Sequence, residues 1–329
     1  MKKLAWGILS TANIGIKRVI PAILSSDHGA ILAIASRSQE RAREVAARFG
    51  IAKTHGSYQA LIDDPDIEAI YNPLPNHLHV EWTVKALLAG KHVLCEKPIG
   101  LNAREAGAIV AARDQSGKRV IEAFMVRHHP QWRRVRALIA SGRIGRVGAV
   151  QSAFLFTMLD PKNVRNQADI GGGALYDVGC YPIVTARYVF GREPLRVIAL
   201  IDRDPALRVD RLTSGLVAFP EGGQLVFTSS LQLSTYQKVV VLGTGGRIEV
   251  EVPFTPMKDQ ACRISIEADD GREVEEFAPV DQYALQCDTA VRAFRGETEQ
   301  EFPIEDAIAN MRVIDALYRS AETGRWETP

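Results

Sequence analysis

The strongest constraint on the fold is a regular alternation of short apolar runs with helix-length segments between residues 4 and 123. Strand-length apolar runs that alternate with helices are typical of a parallel sheet covered by helices on both faces. The predicted strands are 4–9, 30–36, 67–72, 92–95 and 119–123. This part of the chain is therefore predicted to be a doubly wound α/β domain.

Helix-capping residues stand between these predicted strands. Ser38 and Asn76 each precede a helix-length segment, where a short polar side chain accepts a hydrogen bond from the first helical N–H groups. Asn102, with Glu105 three residues later, has the pattern of a capping box, and Gly90 is placed to end a helix. The helices therefore fit between the strands, as a doubly wound fold requires.

Strand patterns dominate the rest of the chain. Turn sequences rich in Gly and Asp separate these strands and predict β-hairpins, which make the sheet largely antiparallel. The turns are at 221–223, 243–246 and 269–271, and the predicted helices are at 174–190, 282–295 and 305–322. We therefore expect two domains: a Rossmann nucleotide-binding domain over 1–123, and an α+β domain with a largely antiparallel open sheet over 124–329.

Charge and cysteine content exclude several classes of protein. The 329 residues include 40 basic and 39 acidic side chains, so no net field favours nucleic acid or an anionic membrane. The apolar runs are far shorter than the ~20 residues that cross a bilayer. The four cysteines form no C-x-x-C pair and no cluster with zinc-ligand spacing. We expect a cytoplasmic protein without a metal site and without nucleic-acid or membrane partners.

The loop after the first predicted strand has the pattern of a nucleotide-binding turn. A strand, a tight loop and a helix N-terminus direct backbone N–H groups at a pyrophosphate. The G-x-G-x-x-G fingerprint would place glycines at 10, 12 and 15, and only Gly15 is present, although Ser10 and Ala12 are small. An ordinary β–α turn is the alternative. The candidate cofactor-binding residues here are Ser10, Thr11, Ala12, Asn13 and Ile14.

The end of the second predicted strand indicates which cofactor is selected. Sites that select NAD usually carry Asp or Glu at this position, where the carboxylate binds the adenosine ribose. This chain has Ser36 and Arg37 instead. A guanidinium group matches the charge and geometry of a 2′-phosphate, which a carboxylate would repel. We predict NADP rather than NAD, with a solvated arginine as the alternative interpretation.

Three separated segments carry a family resemblance. They read IYNPLPNHLH at 70–79, GKHVLCEKP at 90–98 and GGGALYDVGCY at 171–181. On these segments the chain resembles the Gfo/Idh/MocA oxidoreductases, the family of glucose–fructose oxidoreductase and inositol dehydrogenase, over essentially its whole length. The resemblance implies a nicotinamide cofactor, a sugar-like substrate, and a homodimer or homotetramer built on the sheet of the second domain.

The resemblance also implies site residues. The lysine of the family's Glu-Lys-Pro motif is catalytic and corresponds to Lys97, followed by a cis Pro98; an isolated lysine would more often be solvated. Asp177 and Tyr181 match further catalytic positions. The tyrosine is similar to that of glucose–fructose oxidoreductase, NADP-linked xylose dehydrogenase and dimeric dihydrodiol dehydrogenase. Further cofactor-binding candidates are Leu74, Pro75, Asn76, His79, Glu96 and Lys97 itself. The substrate-binding candidates are Arg127, Arg165, Asp177 and Tyr181.

These residues predict hydride transfer between the nicotinamide and a carbinol or carbonyl carbon of a sugar or related polyol, as in an aldose 1-dehydrogenase. Tyr181 exchanges the hydroxyl proton, the Lys97 ammonium favours its phenolate form, and Asp177 orients either a substrate hydroxyl or Lys97. Either Lys97 or Tyr181 is able to pass the proton on. Two alternatives remain open: a trans-dihydrodiol dehydrogenase, and a catalytically inactive sensor that binds NADP.

Overall fold

The computed structural model describes residues 2–329, which separate into two compact units. The first unit contains the residues up to Met125 together with Asp281–Ile308, and the second contains Val126–Val280 and Ala309–Pro329. These units do not have the same boundaries as the expected domains, because residues 281–308 belong to the first unit. The domain limits 1–123 and 124–329 themselves stay a prediction.

The first unit is built on a six-stranded sheet in which every pair of neighbouring strands is parallel. Its strands are β1 (Leu4–Leu9), β2 (Gly29–Ala35), β3 (Lys53–His55), β4 (Ala69–Asn72), β5 (His92–Cys95) and β6 (Val120–Glu122). They lie in the order β3-β2-β1-β4-β5-β6. All five predicted strands are present and the doubly wound fold is confirmed. The three-residue β3 was not predicted.

Helices connect these strands. They are α1 (Ile20–Leu24), which continues a π-helical turn at Gly15–Val19, α2 (Gln39–Phe49), α3 (Tyr58–Ile62), α4 (His79–Leu88) and α5 (Ala103–Ser116). The predicted caps at Ser38 and Asn102 are confirmed, because their side chains accept from backbone N–H groups of α2 and α5. The predicted cap at Asn76 is wrong. Pro75 is extended, so Asn76 already lies inside a 3₁₀ turn, Asn76–Leu78, that precedes α4.

The second unit contains an eight-stranded sheet. Its strands are β7 (Val147–Thr157), β8 (Arg196–Arg203), β9 (Asp210–Ala218), β10 (Gln224–Ser230), β11 (Gln232–Gly243), β12 (Gly246–Val250), β13 (Cys262–Ala268) and β14 (Gly271–Phe277). The predicted hairpins β9–β10, β11–β12 and β13–β14 are confirmed, and only the β7–β10 pair is parallel. The sheet is therefore largely antiparallel, as expected.

Two helices pack on one face of this sheet: α6 (Pro130–Ala140) and α7 (Cys180–Phe190). A π-helical turn at Leu175–Gly179 leads into α7, so the predicted helix at 174–190 is confirmed with a wider first turn. The chain ends with α8 (Gln282–Phe294) and α9 (Ile304–Thr323). Among residues 2–329, no helix is long and apolar enough to cross a membrane.

Helix α8 belongs to the first unit because it buries its apolar face in the core around β1 and β4. Its Cys287 and Phe294 lie in one cluster with the fully buried Trp6 and Tyr71. The Phe294 ring centroid is 5.8 Å from that of Trp6 and 4.9 Å from that of His92, on which it stacks. Burial of one such aromatic side chain contributes several kcal/mol. The sequence predicted a helix at 282–295 but not the surface on which it packs.

Four histidines are buried or partly buried. His79, His128 and His129 are buried, and His92 is partly buried with its ring stacked on that of Phe294. Burial disfavours the charged imidazolium. It therefore lowers the pKa of His79, His92 and His129 to about 4 and that of His128 to about 3.

These pKa values predict an acid-labile fold. Below the ordinary histidine pKa of about 6.5 the unfolded chain takes up protons that the folded chain does not, so the free energy of unfolding falls between pH 6.5 and 4. Chemical denaturation at a series of pH values measures this slope. His92→Gln should make the slope shallower, whereas His28→Gln, at a partly exposed site, should not. A parent protein whose stability stays constant or increases over this interval contradicts the prediction.

Candidate active site

The predicted first-unit residues follow four neighbouring strands. Because β1, β2, β4 and β5 are parallel and adjacent, their carboxyl ends lie at one edge of the sheet, where ligands bind in doubly wound folds. The structure brings to this edge Ser10, Thr11, Ala12, Asn13 and Ile14 after β1, Ser36 and Arg37 after β2, Leu74, Pro75, Asn76 and His79 after β4, and Glu96 and Lys97 after β5. One sheet edge therefore collects residues that are far apart in sequence.

The loop after β1 makes the tight turn that its sequence predicted weakly. Ser10 adopts a left-handed backbone conformation with φ 84°, which glycine usually supplies. Its hydroxyl compensates by accepting a hydrogen bond from the Ala12 N–H at 3.3 Å. Helical backbone begins at Asn13, two residues before the π-helical turn that leads into α1. Thr11 and Ala12 are partly exposed. The first-turn N–H groups therefore face an accessible loop, which suits a diphosphate although only one fingerprint glycine is present.

Arg37 lies exposed at the end of β2, directly before the N-terminus of α2. Ser38 caps that helix, accepting from the Arg41 N–H at 3.2 Å. Burial raises the pKa of the nearby Tyr58 hydroxyl, and the Arg37 guanidinium partly opposes that shift. A guanidinium and a helix N-terminus both attract negative charge. This corner of the sheet edge therefore fits the 2′-phosphate of NADP.

A buried histidine joins the loops after β4 and β5. The Nδ1 atom of His79 lies 2.7 Å from the carbonyl oxygen of Pro98, and Nε2 lies 2.6 Å from that of Leu74. Asn72 supports the same loop, since its side chain accepts from the Leu74 N–H at 3.3 Å and donates to Thr83 at 3.1 Å. The side chains of Leu74 and His79 are buried, so they shape the loops from inside.

The Glu-Lys-Pro segment is held on both sides of its lysine. Tyr71, fully buried in β4, donates to Glu96 Oε1 at 2.6 Å. Burial, with the Glu96 charge beside it, raises the pKa of Tyr71 well above its ordinary value, so the phenol stays a donor. The Lys97–Pro98 peptide bond is cis, as the resemblance implied. Lys97 itself is partly exposed between these two fixed neighbours.

In the second unit an ion pair joins two of the predicted residues. The Arg165 Nε donates to Asp177 Oδ2 at 2.6 Å. Arg165 lies on a 3₁₀ turn, Val164–Asn166, whose start is capped by the Asn163 side chain, and Asp177 lies in the π-helical turn before α7. A charge-assisted hydrogen bond of this kind fixes the orientation of a carboxylate. The Asp177 carboxylate is thus held in place by the neighbouring guanidinium.

Tyr181 lies in the first turn of α7 with its ring in an aromatic cluster. Its centroid is 5.4 Å from that of Phe154 in an edge-to-face contact and 5.5 Å from that of Phe254. All three rings are buried, which restricts the direction of the Tyr181 hydroxyl. Arg127 is also buried, in a 3₁₀ turn, Met125–His128, that precedes α6.

Sequence reasoning missed the buried residues that support this edge and this helix. In the first unit they are Tyr71 and Asn72, and in the second Phe154, Phe254 and Asp210. Tyr71 and Asn72 stood inside a segment already singled out, so their position at a strand end was a usable signal. Among residues 2–329, no group of three His, Cys, Asp or Glu side chains is arranged to hold a metal ion.

Two family models match the chain. One is described as the oxidoreductase family with an NAD-binding Rossmann fold and matches residues 4–124; the other is the GFO/IDH/MocA C-terminal domain and matches residues 132–249. An uncharacterised oxidoreductase of Rhizobium meliloti, ORF334, is 46% identical over 333 residues and covers 100% of both chains.

Relatives with named activities are similar over nearly the whole length. D-xylose 1-dehydrogenase (NADP(+)) 2 of Haloferax volcanii is 40% identical over 321 residues, covering 97% of this chain and 98% of its own. The crystal structure of KijD10, a 3-ketoreductase from Actinomadura kijaniata in complex with NADP and TDP-benzene, superposes with a TM-score of 0.92 at 30% identity, covering 97% and 98% of the two chains. The chain therefore belongs to the GFO/IDH/MocA family of oxidoreductases.

Proposed function

We propose that this chain is an NADP-dependent oxidoreductase that transfers a hydride between the nicotinamide and a carbinol or carbonyl carbon of a sugar or related polyol. The observation that carries the proposal is the Glu96-Lys97-Pro98 segment, held by Tyr71 and His79 at the edge of the sheet where ligands bind in this fold. The H. volcanii relative is a D-xylose 1-dehydrogenase by name, which supports a sugar as the substrate, and KijD10 is a 3-ketoreductase by name, which supports a carbonyl carbon as the reacting centre.

The cofactor assignment is supported by two features of the same edge. The loop Ser10–Ile14 offers first-turn N–H groups to a diphosphate, and Arg37 with the N-terminus of α2 offers positive charge to a 2′-phosphate. NADP is the cofactor in the name of the H. volcanii relative and in the KijD10 complex. When bound, the nicotinamide supplies or accepts the hydride.

The side chains of this protein accept the proton and orient the substrate. In the oxidative direction the carbinol carbon gives up a hydride, its hydroxyl gives up a proton to Tyr181, and a carbonyl group is left; for an anomeric hydroxyl the product is a lactone. Lys97 holds the reacting oxygen through its ammonium group. Asp177, held in place by Arg165, accepts a hydrogen bond from another substrate hydroxyl. Arg127 contributes a further substrate contact.

We also propose that the protein forms a homodimer or homotetramer through the sheet of the second unit. Leu200 is 80% exposed, Tyr236 51%, Val226 45% and Leu216 37%. Leu216 and Val226 stand opposite each other on adjacent strands. A contiguous apolar patch on a sheet face is typical of a protein–protein interface.

A charged substitution on this sheet face should weaken subunit association. We expect Leu200→Arg to shift the molecular mass in light scattering toward the monomer, whereas Leu24→Arg, at an exposed site of the first unit, should not. An unchanged mass for Leu200→Arg rejects the interface.

The catalytic assignment predicts strong losses from two small substitutions. Removal of a group that transfers a proton typically costs 10²- to 10⁴-fold, so Lys97→Ala and Tyr181→Phe should each lower kcat by about 100-fold or more. Turnover is followed by nicotinamide absorbance with aldoses, inositols and trans-dihydrodiols, with both cofactors and in both directions. Lys85→Ala, at an exposed site of the first unit, is the control.

The same assay separates the competing functions. A sugar dehydrogenase turns over aldoses, a dihydrodiol dehydrogenase prefers the aromatic-derived diol, and a sensor binds NADP tightly with no turnover of any of them. If Lys97→Ala or Tyr181→Phe stays within a few-fold of the parent on its best substrate, the proposed proton transfer is wrong.

Arg37 is predicted to determine the choice between NADP and NAD. A hydrogen bond to a charged group contributes about 1.5–3 kcal/mol, so Arg37→Ala should lower kcat/KM with NADP by roughly 10- to 100-fold and leave NAD nearly unchanged. Arg37→Asp should reverse the preference, because a carboxylate repels the 2′-phosphate and accepts from a ribose hydroxyl. Arg41→Ala, on the exposed surface of α2, is the control. A preference for NADP that survives Arg37→Asp would falsify the assignment.

A further inference from the structure

The helical segment that carries Asp177 and Tyr181 is hydrogen-bonded at its start to a buried carboxylate. Asp210, the first residue of β9, is 1% exposed. Its Oδ2 accepts from the backbone N–H of Leu175, the first residue of the π-helical turn, at 2.6 Å. The hydroxyl groups of Thr213 and Tyr318 donate to the same carboxylate at 3.1 and 2.9 Å. Asp210 thus connects β9 and α9 to the start of the helix.

The chain before this helix wraps closely around the carboxylate. A Cβ atom on Gly173 would lie 1.9 Å from Asp210 Oδ1, and Gly173 has φ +125°. Only glycine fits this position. The Gly173 N–H donates to the Arg165 carbonyl at 2.9 Å, and the Gly173 carbonyl accepts from the Asp177 N–H at 3.1 Å. Both members of the Arg165–Asp177 ion pair are therefore tied through Gly173 to the same anchor.

The titratable and charged side chains near Asp210 come from three elements. Tyr318 of α9 donates a hydrogen bond to it. Arg203 of β8 lies over the Tyr318 ring at 5.7 Å, and the Tyr176 ring packs against Tyr318 at 5.2 Å. Burial raises the pKa of Asp210 to about 6, and the three hydrogen bonds and Arg203 partly oppose that shift. The charge on this carboxylate therefore changes within the pH range of an ordinary assay.

We propose that Asp210 is a positioning residue that fixes the first turn of the helix and thereby places Asp177 and Tyr181 for the reaction. This inference rests on the proposed function of Tyr181. A displacement of about 1 Å in a group that contacts the reacting atoms can lower the rate about 100-fold. The carboxylate is the shared acceptor for the helix, β9 and α9, so its loss releases all three contacts together.

Two substitutions separate the hydrogen bonds of Asp210 from its charge. In Asp210→Asn the amide oxygen still accepts from the Leu175 N–H, while the NH₂ group faces Tyr318, whose hydroxyl can turn to accept. Asp210→Ala removes every acceptor. We expect Asp210→Asn to keep kcat within about three-fold and Asp210→Ala to lower it by about 10- to 100-fold, with the Kd for NADPH unchanged within two-fold. Thr213→Val and Tyr318→Phe each remove one donor and should give intermediate losses, which keeps the test open if Asp210→Ala does not fold.

A double-mutant cycle tests whether Asp210 acts through Tyr181. Asp210→Ala, or Tyr318→Phe in its place, is measured in the parent and in the Tyr181→Phe background. The proposal expects a larger loss in the parent than in the Tyr181→Phe protein, where only the contribution through Asp177 remains. Equal losses in both backgrounds overturn it. Tyr181→Phe alone reports on the proposed function: if it keeps full turnover, the function fails and this inference fails with it.

The pH profile is a readout that a merely structural role of Asp210 does not change. In the parent, kcat should fall by no more than about three-fold as the pH drops through an apparent pKa of about 6, because the protonated carboxyl is a weaker acceptor, and Asp210→Asn should lack that step. Asp204→Asn is the matched control, because this carboxylate lies on the same β8–β9 connection, accepts from Gln232 and has a lowered pKa. A step near pH 6 that persists in Asp210→Asn overturns the proposed link between this carboxylate and turnover.

Discussion

The parallel pairing of β1 with β2 and β4, and of β4 with β5, is the constraint on which the first-unit site depends. Leu9 pairs with Ala35, and Asn72 pairs with Cys95, so neighbouring strands end at nearly the same level. Every loop that follows a strand therefore starts from one edge. The residues that this geometry makes neighbours are Ser10, Arg37, Leu74 and Lys97. Without this alignment of the strand ends, these residues would lie far apart on the protein surface.

Buried polar side chains then decide where each loop goes. His79 holds the carbonyl groups of two loops, and Tyr71 holds Glu96 beside Lys97. In the second unit, Asp210 does the same for the start of the helix. A buried polar group without a partner costs about 1–3 kcal/mol, so such contacts favour one geometry over its neighbours. The Arg165–Asp177 pair, with Arg165 38% exposed, contributes less to stability and more to orientation.

Much of the fold could be predicted because its signals act over a few residues. Strand periodicity placed five strands of the first sheet within two residues of their observed ends, and Gly- and Asp-rich turns marked the three hairpins. Capping chemistry placed the starts of α2 and α5. The prediction that Asn76 caps the helix was wrong, because Pro75 is extended and the 3₁₀ turn already begins at Asn76, one residue earlier than predicted. Strand β3, three residues long, has too few positions to show a period.

The sequence by itself determined the family and most of the strands and helices, and it predicted the residue types proposed to meet a phosphate or a reacting hydroxyl, because strand periodicity, caps and short motifs are local. Only the tertiary structure decided which buried groups support them. Tyr71 and Glu96 are 25 positions apart, and Leu175 and Asp210 are 35 apart. A hydrogen bond between such residues leaves no pattern along the chain, since it exists only after sheets and helices have packed. The same packing assigned α8 to the core around Trp6, because an amphipathic helix specifies an apolar face but not the surface that will cover it.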